Sequence, residues 1–493
     1  MSLTLSQLAE RSPGARVHGT GETVVDEVYY DSRRVRPGGL FVAVPGLREN
    51  GLRYVDAARE RGAVAVAAEA PASAPIPWVQ VPSAREALAA FSAALLGDPA
   101  EQLDLVGVTG TNGKTTTAWM IEAALARAGR TPGLVGTVQH RIAGRAEAAS
   151  HTTPESSDLQ MLFRAMVDAG CDSAAVEVSS HALELKRVHN CRFRVAVFTN
   201  LSRDHLDLHG DMDGYFRAKR TLFSRLLRDD GVAVINADDA RASELAAASR
   251  GRVLTYSLES DADLTAARLS LGLDRTTFAV RTPRGEHAVT TPLIGRFNVR
   301  NLLAAFGACL ALELDPDVLA EALGDFQGAP GRMERIHAGQ DFAVIVDYAH
   351  TDEALRCLLE TVRELAPSRL ITVFGCGGDR DKSKRPLMGA VAARLSDAVV
   401  LTNDNPRSEP PESILEEIQR GLNGGRATER LVIPDRRDAI ARAFEMAGPG
   451  DAVVIAGKGH ETQQVLRDRS VPFDDRQVAR QQLARLPART GKA

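Results

Sequence analysis

Lys114 and Thr115 stand directly after a glycine turn, in the stretch 105–117 that reads LVGVTGTNGKTTT. The apolar run 103–108 predicts a buried strand, and 116–128 predicts a helix. Strand, glycine turn, Lys-Thr and helix together make a phosphate-binding arrangement. The N–H groups of the turn and the helix N-terminus face the anion, Lys114 reaches the outer phosphates, and the Thr115 hydroxyl can bind Mg²⁺. The usual phosphate loop carries a glycine five residues before the glycine of Gly-Lys, and that position here is Val108. What stands instead is the shorter Gly110-Thr111-Asn112-Gly113-Lys114-Thr115. A lone glycine turn is commonly structural. Gly-Lys-Thr between a strand and a helix points further, to ATP or GTP with Mg²⁺.

Other chemistry-bearing residues follow apolar runs. Glu177 ends the run AAVEV, and Asp204 and His205 follow VAVFTN. A carboxylate there suits a hard divalent cation. The plainer reading of His205 is a hydrogen-bonded loop residue. Asp207 and His209 extend this cluster, which is too polar for a core. Further on, Arg380 and Arg385 follow one more apolar run and Arg407 another. Guanidinium forks bind carboxylates bidentately, although a solvated surface charge is the ordinary role of such an arginine. Arg407 lies in Asp-Asn-Pro-Arg, where Pro406 stiffens the turn and pushes Asn405 to an extended conformation. A substrate carboxylate would fit an arginine presented in that way.

The elements that must position these groups alternate between short β-rich runs and helical segments, the pattern of α/β folds with parallel sheets. The first region, to about residue 100, has strand candidates at 40–44, 63–69 and 77–81 and a helix at 84–96, leading into the linker-like GDPAEQ. The second has strands at 103–108, 174–178, 195–200 and 232–237. The turn-rich GAPGRM, 328–333, marks a second boundary. The third has strands at 342–347, 370–375, 398–403 and 452–457. In open α/β sheets ligands bind beyond the carboxyl ends of the strands. The polar clusters GTNGKT, EVSSH, TNLSRDHLD, DYAHT, GCGGDRDKSKR, NDNPR and GKGHE all fall at such exits. They predict two active-site rims.

Bulk properties exclude several classes. A length of 493 residues suggests about three domains. A net charge of −4 argues against nucleic acid or an acidic membrane surface as partner. No apolar run reaches the ~18 residues of a membrane span. The five scattered cysteines form no CxxC pair, so a disulfide framework or a zinc site is not expected. All five read as buried small apolar residues in a reducing cytoplasm.

In their order along the chain, GTNGKTTT, HTTPES, EVSSHAL, TNLSRDHLDLHG, YFRAKRTLF, GRFNVRN, PGRMERI, DYAHT, FGCGGDRDKSKRPLM, DNPR and GKGHE resemble the Mur ligase family over nearly the whole length. DNPR with GCGGDRDK is similar to the members that add meso-diaminopimelate; lysine-adding relatives lack this arginine. The lysine- or ornithine-adding members and folylpolyglutamate synthase share the GTNGKT loop and are the neighbouring alternatives. The resemblance implies an α/β protein of three domains. These are an N-terminal UDP-sugar-binding domain (1–100), a central P-loop-type parallel-sheet ATPase domain (101–331) and a C-terminal Rossmann-like amino-acid-binding domain (332–493). It further implies an ATP- and Mg²⁺-dependent, cytoplasmic ligase of peptidoglycan synthesis, expected to be a monomer. Such a ligase joins meso-diaminopimelate to UDP-MurNAc-L-Ala-D-Glu through an acyl phosphate.

The same resemblance assigns residues. Gly110, Thr111, Asn112, Gly113, Lys114, Thr115 and Thr116 cradle the phosphates. Thr115 and Glu177 match one Mg²⁺ site, and His205 and Lys219 a second. Lys219 is carbamylated in the family, which turns a cation into a metal-binding anion; by residue type alone it reads as solvated. Asn298 and Arg332 match adenosine and phosphate contacts, with Asp347 and His350 on the ribose side. Ser32 matches the uridine end, and Thr152, Thr153, Ser179 and Arg187 the muramoyl-peptide. Arg380, Asp404, Asn405, Pro406, Arg407, Gly457 and Glu461 match the diaminopimelate pocket.

Overall fold

The fold is known from a computed structural model that describes residues 1–46, 49–71 and 75–486. Three α/β sheets follow one another along the chain, as the alternating pattern predicts. The chain packs as two compact units. One comprises Met1–Ala266, Val280–His287 and Arg300–Leu323; the other comprises Ala267–Ala279, Ala288–Val299 and the chain from Gly324 onward.

The first unit opens with a five-stranded sheet. Strands Trp78–Gln80, Ala63–Ala68, Gly39–Val42 and Glu27–Tyr29 are parallel in that order, and Arg16–His18 runs antiparallel on the edge. Helix Ala84–Leu95 starts at Ser83, whose hydroxyl accepts from the Glu86 N–H at 3.3 Å. Its Leu88, Phe91 and Leu95 are buried on the sheet. Ser32 opens a short 3₁₀ turn capped by Asp31. Tyr30 and Arg34, on either side, both bond Asp158 of helix Ser156–Asp168.

The central sheet carries the phosphate loop. Strand Asp104–Thr109 lies between Ser173–Glu177 and Phe193–Phe198, parallel to both. Pro132–Val135 continues the parallel order on one side, and Leu227–Asn236 and Arg252–Ser257 on the other. Strands covered on both faces read as continuous apolar runs, which is why this segment was legible as LVGV and VAVF. In helix 156–168, Leu159, Phe163 and Met166 lie at helical spacing and pack against Leu105 and Val176. Burying Phe163 completely contributes about 1.5–3 kcal/mol. The register sets Glu177 opposite Val108 and Phe198 opposite Thr109. Three polar exits therefore emerge side by side.

The second unit holds a six-stranded sheet. Strands Ala343–Asp347, Ala452–Ala456, Leu370–Phe374, Ala398–Leu401 and Glu429–Val432 are parallel in that order, and Glu334–Arg335 adds an antiparallel edge. The last strand of this sheet in sequence thus sits between its first two long ones. Their exits, at 347–351, 375–380, 402–407 and 457–461, share one edge of the sheet. Among the described residues no helix is long and apolar enough to cross a membrane.

Candidate active site

The phosphate loop is held from outside by the exit of the neighbouring strand. Asn112 is gripped by Asn200, whose Oδ1 accepts from the Asn112 N–H at 3.0 Å and whose Nδ2 donates to the Asn112 carbonyl at 3.1 Å. The Thr199 hydroxyl donates to the same carbonyl at 2.6 Å. The Thr111 hydroxyl donates to the Ser202 carbonyl at 3.1 Å, and the Ser202 N–H donates back at 2.9 Å. Gly113 is the N-cap of helix Lys114–Arg127 with φ +88°. A Cβ there would meet Asn301 Oδ1 at 2.4 Å, so only glycine fits. The Lys114 ammonium folds back onto the Gly110 and Thr111 carbonyls, at 2.9 and 2.8 Å. Thr115 and Thr116 are buried in the first helical turn.

Glu177 is fully buried beside this turn. Its Oε2 accepts from the Thr115 hydroxyl at 2.8 Å and the Thr137 hydroxyl at 2.9 Å, while Oε1 accepts the Thr137 N–H at 2.8 Å. Thr137 was not singled out from the sequence; nothing in its local pattern distinguishes it. Thr137 leads on to Thr152, hydroxyl to hydroxyl at 3.0 Å. The Thr153 hydroxyl donates to the Glu177 carbonyl at 2.7 Å and lies 3.3 Å from the Ser179 hydroxyl. Arg187 closes the row, with Nη1 on the Thr153 carbonyl at 3.0 Å and Nε on Glu155 at 2.8 Å. Thr115, Glu177, Thr152, Thr153, Ser179 and Arg187, expected to serve neighbouring substrates, form one hydrogen-bonded chain.

Lys219 is not solvated, as its residue type alone suggests, but 1% exposed. Helix Met212–Thr221 is amphipathic, and Tyr215, Phe216, Ala218 and Lys219 are its buried residues. The ammonium donates to the Gly110 carbonyl at 2.8 Å and lies 4.4 Å from the centre of the Tyr215 ring. Burial, and next the charge of Lys114, hold its pKa well below the ordinary lysine value; Asp204 opposes them weakly. His205 sits at φ +52°, a strained conformation for a non-glycine residue. Its ring meets His181 edge-on at 4.6 Å, and Nε2 is 3.4 Å from Asp204. Burial lowers the pKa of both His181 and His205. Among the described residues, no three His, Cys, Asp or Glu side chains are grouped to hold a metal.

In the second unit, Asp347 leaves its strand with both carboxylate oxygens occupied. Oδ2 accepts from the Met333 N–H and Oδ1 from the Ala349 N–H, each at 2.8 Å. Its carboxyl therefore pins the Gly331–Met333 turn to the DYAHT exit, and burial raises its pKa despite Arg332. The Arg332 guanidinium lies 4.8 Å from the Tyr348 ring centre. His350 Nδ1 is 2.9 Å from the Tyr348 carbonyl. Asn298 is buried, with Nδ2 donating to the Ile294 carbonyl at 2.9 Å.

The DNPR exit is tied down at several points. Arg407 adopts φ +51°, donates from Nη1 to the Gly378 carbonyl at 2.7 Å, and is tied through its N–H to the Val465 carbonyl at 3.1 Å. Arg380 lies alongside: its Cγ would be 3.9 Å from a Cβ on Gly377, and Arg407 Nη1 would be 2.8 Å from it. Gly457, at φ +115°, lets Asp404 come close; a Cβ there would meet Asp404 Oδ2 at 2.6 Å. Burial raises the Asp404 pKa against the pull of Arg436 and Lys458. Asn405 donates from Nδ2 to Glu461 Oε2 at 2.7 Å. Arg385, a surface charge by ordinary expectation, is wholly buried. It forks onto Glu409 at 2.9 and 3.0 Å and reaches Glu417 at 2.9 Å. Its role is to brace the loop, because Glu409 also accepts the Asp379 N–H at 2.6 Å. Arg436 and Asp475, both fully buried and paired through two 2.7 Å bonds, support the same edge and were not singled out. They lie in helical segments whose polarity resembles any solvated face. All five cysteines are free, and four are buried as expected; Cys357 is exposed instead, on the outer face of helix Asp352–Glu364.

Comparison with known proteins shows the family. The models of the Mur ligase family catalytic domain, the Mur ligase middle domain and the Mur ligase glutamate ligase domain match residues 24–95, 108–309 and 331–459. A UDP-N-acetylmuramoyl-L-alanyl-D-glutamate–2,6-diaminopimelate ligase of Geobacillus thermodenitrificans is 46% identical over 97% of this chain and 99% of its own length. The Gloeobacter violaceus protein of the same name is 48% identical over 93% and 94%. A solved structure of such a ligase superposes with a TM-score of 0.73 at 35% identity, covering 98% of this chain and 99% of its own. Folylpolyglutamate synthase of Mycobacterium tuberculosis, at 22% identity, 74% and 91% coverage and TM-score 0.60, shares the fold alone. The phosphate loop and the three α/β sheets are those of an ATP-dependent ligase. The chain belongs to the Mur ligase family.

Proposed function

We propose that the protein joins meso-diaminopimelate to the D-glutamate of UDP-MurNAc-L-Ala-D-Glu at the expense of ATP, in cytoplasmic peptidoglycan precursor synthesis. The observation that carries the choice of amino acid is the Asp404–Arg407 loop. Among the described residues the Arg407 guanidinium is hydrogen-bonded through Nη1 alone, so its remaining donors can take a distal carboxylate, while Glu461 on the same sheet edge suits the distal ammonium. Lysine has no such carboxylate and would leave the guanidinium unmatched. The names of the relatives, which span almost the entire chain, support the same substrates.

The chemistry follows from where charge develops. The D-glutamate carboxylate attacks the γ-phosphorus of ATP, giving an acyl phosphate and ADP. The substrate amine then attacks the acyl carbon and expels phosphate. The loop N–H groups at Gly110–Lys114 and the Lys114 ammonium neutralise the phosphate charge that grows during transfer. Thr115 and Glu177 offer a hydroxyl and a carboxylate of the hard-oxygen kind that Mg²⁺ takes, together with phosphates and water; bound there, Mg²⁺ would withdraw charge from the transferring phosphoryl group. Burial, which lowers the pKa of Lys219, favours the neutral amine form that carbamylation by CO₂ requires, and with His205 this lysine is assigned to a second Mg²⁺ site. Thr152, Thr153, Ser179 and Arg187 are assigned to the muramoyl-peptide, Ser32 to the uridine end, and Asn298, Arg332 and Asp347 to the nucleotide. The domains assigned are 1–100, 101–331 and 332–493.

The test is to incubate the protein with ATP, Mg²⁺, UDP-MurNAc-L-Ala-D-Glu and one amino acid, and to weigh the product. The expected product is the tripeptide carrying diaminopimelate. A product formed only with lysine or ornithine would overturn the reading.

A further inference from the structure

Lys458 is wholly buried at the exit of strand Ala452–Ala456, and its ammonium is saturated. Nζ donates to Asn405 Oδ1 at 3.1 Å, Glu461 Oε2 at 2.9 Å and the Gln463 carbonyl at 2.7 Å. An ammonium has three donors, and all three are used inside the protein. Lys458 therefore has none to offer a ligand.

Its bonds nevertheless decide how two pocket groups are presented. Asn405 Oδ1 faces two donors, Lys458 Nζ and the Val465 N–H at 2.9 Å. The amide is thereby forced into one orientation, with Nδ2 turned to Glu461. Glu461 Oε2 then accepts from both Asn405 and Lys458. Oε1 has no hydrogen-bond partner among the described residues, and the side chain keeps 30% of its surface exposed. The carboxylate is clamped by one oxygen and open at the other.

We infer that Lys458 is a positioning residue for the amino-acid substrate: with Asn405 it clamps Glu461 Oε2 so that Oε1 is aimed at the substrate's distal ammonium. This rests on the assignment of Glu461 to the amino-acid pocket made above. Burying a lone ammonium costs several kcal/mol, so a lysine at this depth needs its partners, and Glu461 supplies the opposite charge. Burial alone would raise the Glu461 pKa, yet Lys458 and Asn405 together hold it below the ordinary value. The ammonium thus finds an ionised acceptor already in place.

Steady-state kinetics on Lys458→Met, Glu461→Gln and the double variant test this. Lys458→Met should raise KM for meso-diaminopimelate about tenfold to hundredfold, the size of a lost charge-assisted bond. KM for ATP and for the UDP-dipeptide should move less than about twofold. In the Glu461→Gln background the same change should add less than about twofold, because Lys458 acts through that carboxylate. An equal rise in all three KM values, or an undiminished effect in the Glu461→Gln background, overturns the inference in favour of a purely structural lysine. If Lys458→Met does not fold by circular dichroism, Lys458→Gln, which keeps a donor for the Gln463 carbonyl, is read in the same way; failure of both to fold also overturns it. Wild-type turnover separates the two readings. If the wild type ignores diaminopimelate and uses another amino acid, the proposed substrate is wrong, and the coupling of Lys458 to Glu461 is measured with that amino acid.

Discussion

The Lys219 ammonium donates to the Gly110 carbonyl at 2.8 Å across 109 residues of sequence. That bond ties the amphipathic helix 212–221 to the phosphate loop and sets two lysine Nζ atoms, those of Lys219 and Lys114, on one carbonyl. The pairing is unfavourable electrostatically and marks the loop as a place prepared for anions.

Stability should depend on Lys219 with a definite sign. Its folded-state pKa lies well below the unfolded 10.5. Between those values the unfolded chain holds a proton that the folded chain lacks, so stability falls as pH drops through 10.5 and the deficit is complete below the folded value. Lys219→Met should therefore melt higher than wild type near pH 7 in CO₂-free buffer, with the gap closing towards pH 10.5, while activity is lost. Thermal melts across this range check it; a wild type that melts at or above the variant throughout contradicts it.

Glu177→Gln should leave the fold in place, since the Thr115 and Thr137 hydroxyls can rotate to meet an amide. Removing the negative charge should lower kcat about a hundredfold, in line with the loss of one electrostatic group at the transferring phosphate. The comparison is of kcat with Tm: a Tm loss beyond a few degrees would assign Glu177 to structure instead.

Glu409 should carry an acid-labile contact. Arg385 and next the Asp379 N–H hold its pKa down at about 2, against the ordinary 4.5. Its contribution is present above 4.5 and lost as pH falls from 4.5 towards 2. Glu409→Gln should destabilise the protein by about 1–3 kcal/mol at pH 7, because buried Arg385 loses a matched acceptor. The difference from wild type should vanish near pH 2, as followed by denaturant titration.

These groups were not equally legible in the sequence. The parallel strands are buried on both faces, so runs such as AVVIA and VAVF announced them, and the polar residues at their exits followed from topology. Lys219 and Arg385 defeated composition for one reason. A charged side chain is buried only when distant partners meet it, here the Gly110 carbonyl and the carboxylates of Glu409 and Glu417. Lys219 was found through its motif, YFRAKRTLF, and Arg385 was seen as an arginine but not as a buried one. Thr137 has no local signal, and Lys458 lies in the GKGHE exit without anything to set it apart there. Their importance lies in what they hold, Glu177 and Glu461, and only the folded chain brings those pairs together.

Arg407→Ala should lower kcat/KM for meso-diaminopimelate by about a hundredfold or more, the penalty for an unmatched substrate carboxylate. ATP affinity, read by equilibrium binding, should be unchanged. Equal kcat/KM for variant and wild type would remove this arginine from the pocket.

The most direct measurement is phosphate release by the wild-type protein with ATP and UDP-MurNAc-L-Ala-D-Glu, comparing meso-diaminopimelate with L-lysine. A ligase built around Arg407 and Glu461 should release phosphate only when both the UDP-dipeptide and an amino acid are present, with kcat/KM at least about 10³-fold higher for diaminopimelate. Equal use of the two amino acids, a preference for lysine, or release without the UDP-dipeptide would contradict it.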